Sequence, residues 1–192
     1  MYLYKKSLPI KSTFGEKSKE AADIYSDIAN AMDPARNTQG SFNESLELYR
    51  KALEIHIRVL GEHTKDVAYI YRNIGFLYGE QSNYTEASLF YEKSVVIYKD
   101  ILEEKSKEVA DLYNNMAIAV LRGPEVKPEK SLALFRKALD IYQKIFKEDN
   151  KDIADVYNNI ASAHHLQNDY DKVLVVLQKS LDIRLKIFGE NK

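Results

Sequence analysis

The chain has 192 residues, of which 45% are hydrophobic and 30% charged, with a formal net charge of -1. That composition supplies a core for one domain, and its balanced charge excludes a global basic field aimed at nucleic acid or acidic membranes. Cysteine is absent, which excludes disulfides, thiolate catalysis and cysteine zinc sites together and suits a reducing, cytoplasmic setting.

Taken in chain order, the opening "MYLYKKSLPIKSTF" lacks the apolar run of a signal peptide. No later segment approaches the 18 or so apolar residues of a membrane span. From Lys17, "KSKEAADIYSDIANAM" has helical periodicity. After the turn "DPARNTQGSF" a second helical stretch, "LELYRKALEIHIRVL", starts at Leu46. The same two sentences then recur. "HTKDVAYIYRNIGFLY" from His63 is followed by "SLFYEKSVVIYKDIL" from Ser88. "KSKEVADLYNNMAIAV" from Lys105 precedes "LALFRKALDIYQKIF" from Leu132, and "DNKDIADVYNNIASAH" from Asp149 precedes "LVVLQKSLDIRLKIF" from Leu174. Each unit is a pair of helices, A then B, and the pair is written four times.

Local chemistry agrees with that division. Ser18, Thr64, Ser106 and Asn150 fall at one position just before helix A, and all are preferred N-cap types. An acid follows two residues later (Glu20, Asp66, Glu108, Asp152), where the helix dipole favours it. Pro34, Pro124 and Pro128 lie in A-to-B turns, where a missing amide does no harm. Ala22, Ala68, Ala110 and Ala154 form one small-residue column, and Ala29, Gly75, Ala117 and Ala161 another. In helix B, Ala52, Ser94, Ala138 and Ser180 form a third. Such columns let neighbouring backbones approach. Tyr25, Tyr71, Tyr113 and Tyr157 share the packing stripe and read as core.

The sequence of small residue, Tyr, Asn, Ile and Ala in helix A resembles a tetratricopeptide repeat. The helix-B pattern "YRKALEIHIRVLG" resembles the long repeats of kinesin light chains and similar scaffolds. The period of about 42 residues exceeds the usual 34 or so by roughly one turn per helix. This resemblance implies an all-α, right-handed solenoid of antiparallel helix pairs forming a single repeat domain over residues 1–192. Its units are a partial helix over 1–14, repeats at 15–60, 61–102, 103–146 and 147–188, and the start of a further repeat at 189–192. Residues 173–177, "VLVVL", are apolar around the whole helix, whereas a terminal repeat needs a polar outer face. This end is therefore expected either to continue into further repeats or to be covered by another chain through end-to-end self-association.

Chemistry-bearing motifs are few. His164 and His165 are adjacent and so point about 100° apart on a helix, which prevents them from chelating one metal. No phosphate-binding glycine loop or zinc-ligand spacing occurs. No catalytic residue, metal site or cofactor is expected, and the chain reads as a non-enzyme. What remains is a second stripe on helix A, off the packing face: Tyr69, Arg72, Asn73 and Phe76; Asp111, Asn114, Asn115 and Ile118; Asp155, Asn158, Asn159 and Ser162. Asparagine is a poor helix-interior residue, yet it recurs here. Its amide offers a donor and an acceptor to a peptide backbone, and in related repeats the residue matching Asn73, Asn115 and Asn159 often plays that part. The competing reading is that these amides bond between helices. The expected function is a protein-interaction scaffold that holds a protein or peptide partner in a groove lined by the A helices. No nucleic-acid or membrane partner is expected, and the alternative is an architectural spacer. Asp23, Asp27, Asp111 and Asp155 make the stripe acidic, so neutral or basic segments with an apolar anchor are expected to bind better than acidic tails.

Overall fold

The computed structural model describes residues 18–32, 39–102, 106–146 and 150–189. Among the described residues there are eight helices: α1 (Lys19–Ala31), α2 (Gln39–Leu60), α3 (Lys65–Glu80), α4 (Tyr84–Ile101), α5 (Lys107–Arg122), α6 (Pro128–Ile145), α7 (Lys151–Leu166) and α8 (Tyr170–Gly189). They alternate as A and B helices of four repeats. Each packs against its neighbours in sequence, and A helices α5 and α7 also touch. The chain is thus an all-α solenoid of helix pairs. The partial helix expected over 1–14, Pro34 and residues 190–192 of the further repeat expected at 189–192 lie outside the described residues, while Gly189 is the last residue of α8.

The A helices start where their caps dictate. Ser18, Thr64 and Ser106 accept from the backbone N–H three residues on, and Asn150 accepts from Asp152 N–H. Each satisfies one orphan donor of the first turn. Helices α3 and α7 end alike. Asn83 N–H donates to Tyr78 O, and Asp169 N–H donates to His164 O, at 2.9 and 3.0 Å. Ser82 and Asn168 between them take left-handed backbone, φ 58° and 59°, as a Schellman turn requires. Pro128 opens α6 at a position where its missing N–H would have had no partner.

Packing follows the small-residue columns. Ala22, Ala68, Ala110 and Ala154 are fully buried, as are Ala52, Ser94 and Ala138, with Ser180 2% exposed. Where the B column is serine, its hydroxyl donates to the A helix it faces: Ser94 Oγ to Ala68 O, 2.7 Å, and Ser180 Oγ to Ala154 O, 2.8 Å. Gly75 is glycine for a reason of space. A Cβ there would stand 2.8 Å from the Tyr91 ring. Above the tyrosine column lies a lysine column: Lys93 over Tyr71, Lys137 over Tyr113 and Lys179 over Tyr157, 5.3–5.6 Å from the ring centres. The lysine stems cover the rings while the ammonium stays hydrated.

Two buried clusters result. One joins α1 and α2 to Ile70, Ile74 and Leu77 of α3. The other joins Val67, Ala68 and Tyr71, on the opposite face of α3, to the rest of the array. Every A helix after the first therefore presents one face to the preceding repeat and another to its own B helix.

Candidate functional site

A groove of about 520 Å³ runs along the A helices, lined by Asn30 of α1, Arg72, Asn73 and Phe76 of α3, Asp111, Asn114 and Asn115 of α5, and Asp155 of α7. A smaller recess of about 210 Å³, between Phe76, Asn115, Ile118 and Arg122, opens beside it. Further along, Ile118, Asn158, Asn159, Ser162 and His165 line a third cavity of about 600 Å³. Tyr69 stands next to the first groove with the Arg72 guanidinium 5.0 Å above its ring.

The asparagines divide into two kinds. Asn73 Nδ2 donates to Asn30 Oδ1 at 3.1 Å, and Asn159 Nδ2 donates to Asn114 Oδ1 at 3.0 Å. Asn30 also accepts from the Tyr49 hydroxyl and donates to Tyr69 Oη. These amides link one A helix to the next, as the competing reading of the sequence has it. By contrast, the side chains of Asn115 and Asn158 form no hydrogen bond within the chain among the described residues, and both are half-buried.

The acidic lining expected from the sequence is largely spoken for. Asp111 accepts from the Tyr142 hydroxyl and from Lys107, whose ammonium also reaches Asp152 at 3.1 Å. Arg184 donates to Asp155 at 2.5 Å, and His56 Nε2 lies 3.3 Å from Asp23. Residues 56, 98, 142 and 184 share one position of helix B, and residues 23, 69, 111 and 155 share one of helix A. In three repeats a polar B residue thus meets the A-helix aspartate: His56 beside Asp23, the Tyr142 hydroxyl on Asp111 and the Arg184 guanidinium on Asp155. Lys19 and Lys107 add a positive charge to Asp23 and Asp111, and all three carboxylates stay partly exposed.

The lysine column at the helix starts adds a second ladder. Lys19 reaches Asp66 at 3.5 Å, Lys65 reaches Glu108 at 3.8 Å and Lys107 reaches Asp152. Each lysine bridges to the first-turn acid of the next A helix. Burial depresses the Lys107 ammonium pKa, but bonds to Asp111 and Asp152 outweigh this and hold it above the usual lysine value. Burial and the Asp111 bond push the Tyr142 phenol well above its ordinary value. Asp23, His56 and Asp66 place ligand-type atoms within 4.8 Å of one another, the one such group among the described residues. Lys19 already bonds Asp23 at 2.9 Å within that group, and Lys107 does the same in repeat 3. The arrangement is a recurring ion network, and its donors fit an ammonium. His164 is buried and bonded to Gln167, whereas His165 is exposed against Tyr170.

The sequence profile of the tetratricopeptide repeat matches residues 35–100 and 108–186. The chain belongs to the tetratricopeptide repeat family. Solved tetratricopeptide-type structures agree. BtubC (BKLC) from P. vanneervenii superposes with a TM-score of 0.82 at 20% identity, covering 98% of this chain and 73% of that one. A putative kinesin light chain from Podosopora anserina with nearly identical TPR-like repeats gives 0.77 at 14% identity, over 96% and 85%. Apo RapI gives 0.79 at 18% identity, over 97% and 63%. At these identities the likeness is one of fold. No curated protein matches the chain by sequence. Tetratricopeptide repeats generally mediate protein–protein interaction and are typically non-catalytic. No helix among the described residues is long and apolar enough to cross a membrane.

Proposed function

We propose that this tetratricopeptide array is a non-catalytic cytoplasmic scaffold that captures an extended peptide segment in the groove along its A helices. The observation that carries this reading is Asn115. It faces both the main groove and the Phe76–Ile118 recess, and it keeps its donor and acceptor unspent while Asn73 and Asn159 are bonded between helices. An unengaged amide can hold one peptide unit by its C=O and N–H whatever the side chain. Phe76 is 47% exposed in the same place, a large apolar surface beside a convergent polar group, as binding sites are built.

The favoured ligand is a neutral or basic segment with one bulky apolar side chain in the recess, its backbone on Asn115. The test is enrichment of a displayed random-peptide library on the full chain, followed by titration of the recovered peptides. Wild type should enrich sequences sharing an apolar anchor, and Asn115→Ala and Phe76→Ala should each weaken them about ten-fold, the effect of losing one good contact. A library that yields no common anchor, or peptides that bind both variants as tightly as wild type, would overturn the proposal.

A further inference from the structure

Asp23 of α1, His56 of α2 and Asp66 of α3 bring an imidazole nitrogen and two carboxylate oxygens within 4.8 Å of one another. No ligand spacing in the sequence points to this group, because its members lie on three helices. His56 is 1% exposed. Its Nε2 faces the Asp23 carboxylate at 3.3 Å, and its Nδ1 has no hydrogen-bond partner among the described residues. Burial holds the ring neutral at neutral pH, and neutral imidazole is the form that ligates metals.

The cation already in place does not use that ring. Lys19 Nζ reaches Asp23 at 2.9 Å and Asp66 at 3.5 Å and forms no hydrogen bond to His56. In repeat 3 the equivalent network is complete without an imidazole. There Lys107 bridges Asp111 and Asp152, and Tyr142, which stands where His56 does, donates to Asp111. The column holds Tyr98, Tyr142 and Arg184 in the other copies, so only the first repeat places a histidine between the two acids. An ammonium leaves that histidine unused, whereas a metal ion would engage all three side chains.

We infer that a divalent transition metal ion of the zinc type binds between Asp23, His56 and Asp66, displacing the Lys19 ammonium. Imidazole combined with carboxylate oxygens suits zinc and its first-row neighbours, whereas magnesium and calcium prefer oxygen alone. With bonds of about 2.1 Å, tetrahedral ligand atoms stand about 3.4 Å apart. His56 and Asp23 already have that separation, and the Asp66 carboxylate, 43% exposed, has room to rotate in. Three protein ligands leave the fourth position to water. Lys19 is 41% exposed on a flexible stem, so its release forfeits only surface bridges, which contribute little. The ion ties the A helices of the first two repeats to the B helix between them. None of its ligands lines the peptide groove, and the inference does not depend on the function proposed there.

Calorimetric titration of the full chain with zinc chloride tests it. One equivalent should bind, and His56→Tyr should weaken it roughly ten-fold or more. Tyrosine is the residue of repeats 2 and 3 at this position, and Asp66→Asn, at a half-exposed site, gives a second loss of similar size without touching the core. Lys19→Ala should tighten binding about three-fold by removing the competing cation, as expected for one surface bridge. Zinc should raise the melting temperature of wild type and leave that of His56→Tyr unchanged, and magnesium at the same concentration should not compete. Absence of zinc binding overturns the inference. So does zinc binding indifferent to both His56→Tyr and Asp66→Asn, which would place the ion on another histidine, or weaker binding by Lys19→Ala.

Discussion

Replacing Asn159 and Asn115 by alanine, one at a time, separates an amide that builds the solenoid from one that is free to bind. Both residues are half-buried, on equivalent turns of helices α7 and α5. Their helix-propensity gain on becoming alanine is therefore the same, about 0.6 kcal/mol, and cancels in the comparison. What differs is one hydrogen bond. Asn159 loses a 3.0 Å bond and strands Asn114 Oδ1, whereas Asn115 loses none. A typical net bond contributes about 1 kcal/mol, so Asn159→Ala should be less stable than Asn115→Ala by about that amount. Relative to wild type, Asn115→Ala should be neutral or slightly stabilised and Asn159→Ala slightly destabilised. Urea denaturation followed by circular dichroism measures the difference, with the Asn114→Ala/Asn159→Ala cycle reporting the coupling directly. Equal stabilities for the two single variants, or no coupling in the cycle, would refute the division of the asparagines on which the groove argument rests.

Three further outcomes are expected. Gly75→Ala should destabilise by roughly 1–2 kcal/mol in the same assay, because the 2.8 Å approach to the buried Tyr91 ring costs more than the helix gains. Adding Tyr91→Leu, the pairing of Ala161 with Leu177 in repeat 4, should recover part of the loss. Ser82→Gly should stabilise by roughly 0.5–1 kcal/mol by relieving a left-handed serine, φ 58°, and an unchanged urea midpoint would contradict this. Burial holds the His56 pKa below 6.5 despite the attraction of Asp66 and Asp23. Below pH 6.5 the unfolded chain then binds the extra proton first, so stability falls as pH drops from 6.5 to the lower folded value. His56→Tyr, the residue type found at Tyr98 and Tyr142, should flatten that part of the profile in melting curves taken between pH 5 and 7.5.

The repeat columns made the fold legible, because each small residue, cap and tyrosine was stated four times and coincidence could be discounted. Ser18, Thr64, Ser106 and Asn150 cap as their type and place imply. The partners of the polar stripe were less accessible. Whether an asparagine turns to the next helix or to open space depends on how two helices are rotated about their axes, and Asn114 and Asn115 are adjacent letters with opposite fates. Tyr142 and Arg184 were missed because each reaches an aspartate about thirty residues earlier, on another helix. A signal was nonetheless present. The column His56, Tyr98, Tyr142, Arg184 is polar-tipped in every copy beside the uniformly apolar column Ile55, Ile97, Ile141, Ile183, and it runs parallel to Asp23, Tyr69, Asp111 and Asp155.

Helix α3 is a party wall, with Ile70, Ile74 and Leu77 in one core and Val67, Ala68 and Tyr71 in the other. The two cores also share Leu53 of α2 and Phe90 of α4 as partly buried neighbours, so the seam between them runs along α3 and spreads to the B helices on either side. The same helix carries Arg72, Asn73 and Phe76 into the groove. A substitution on α3 therefore reaches three surfaces at once: the packing of the first repeat, the packing of the second and the wall of the groove.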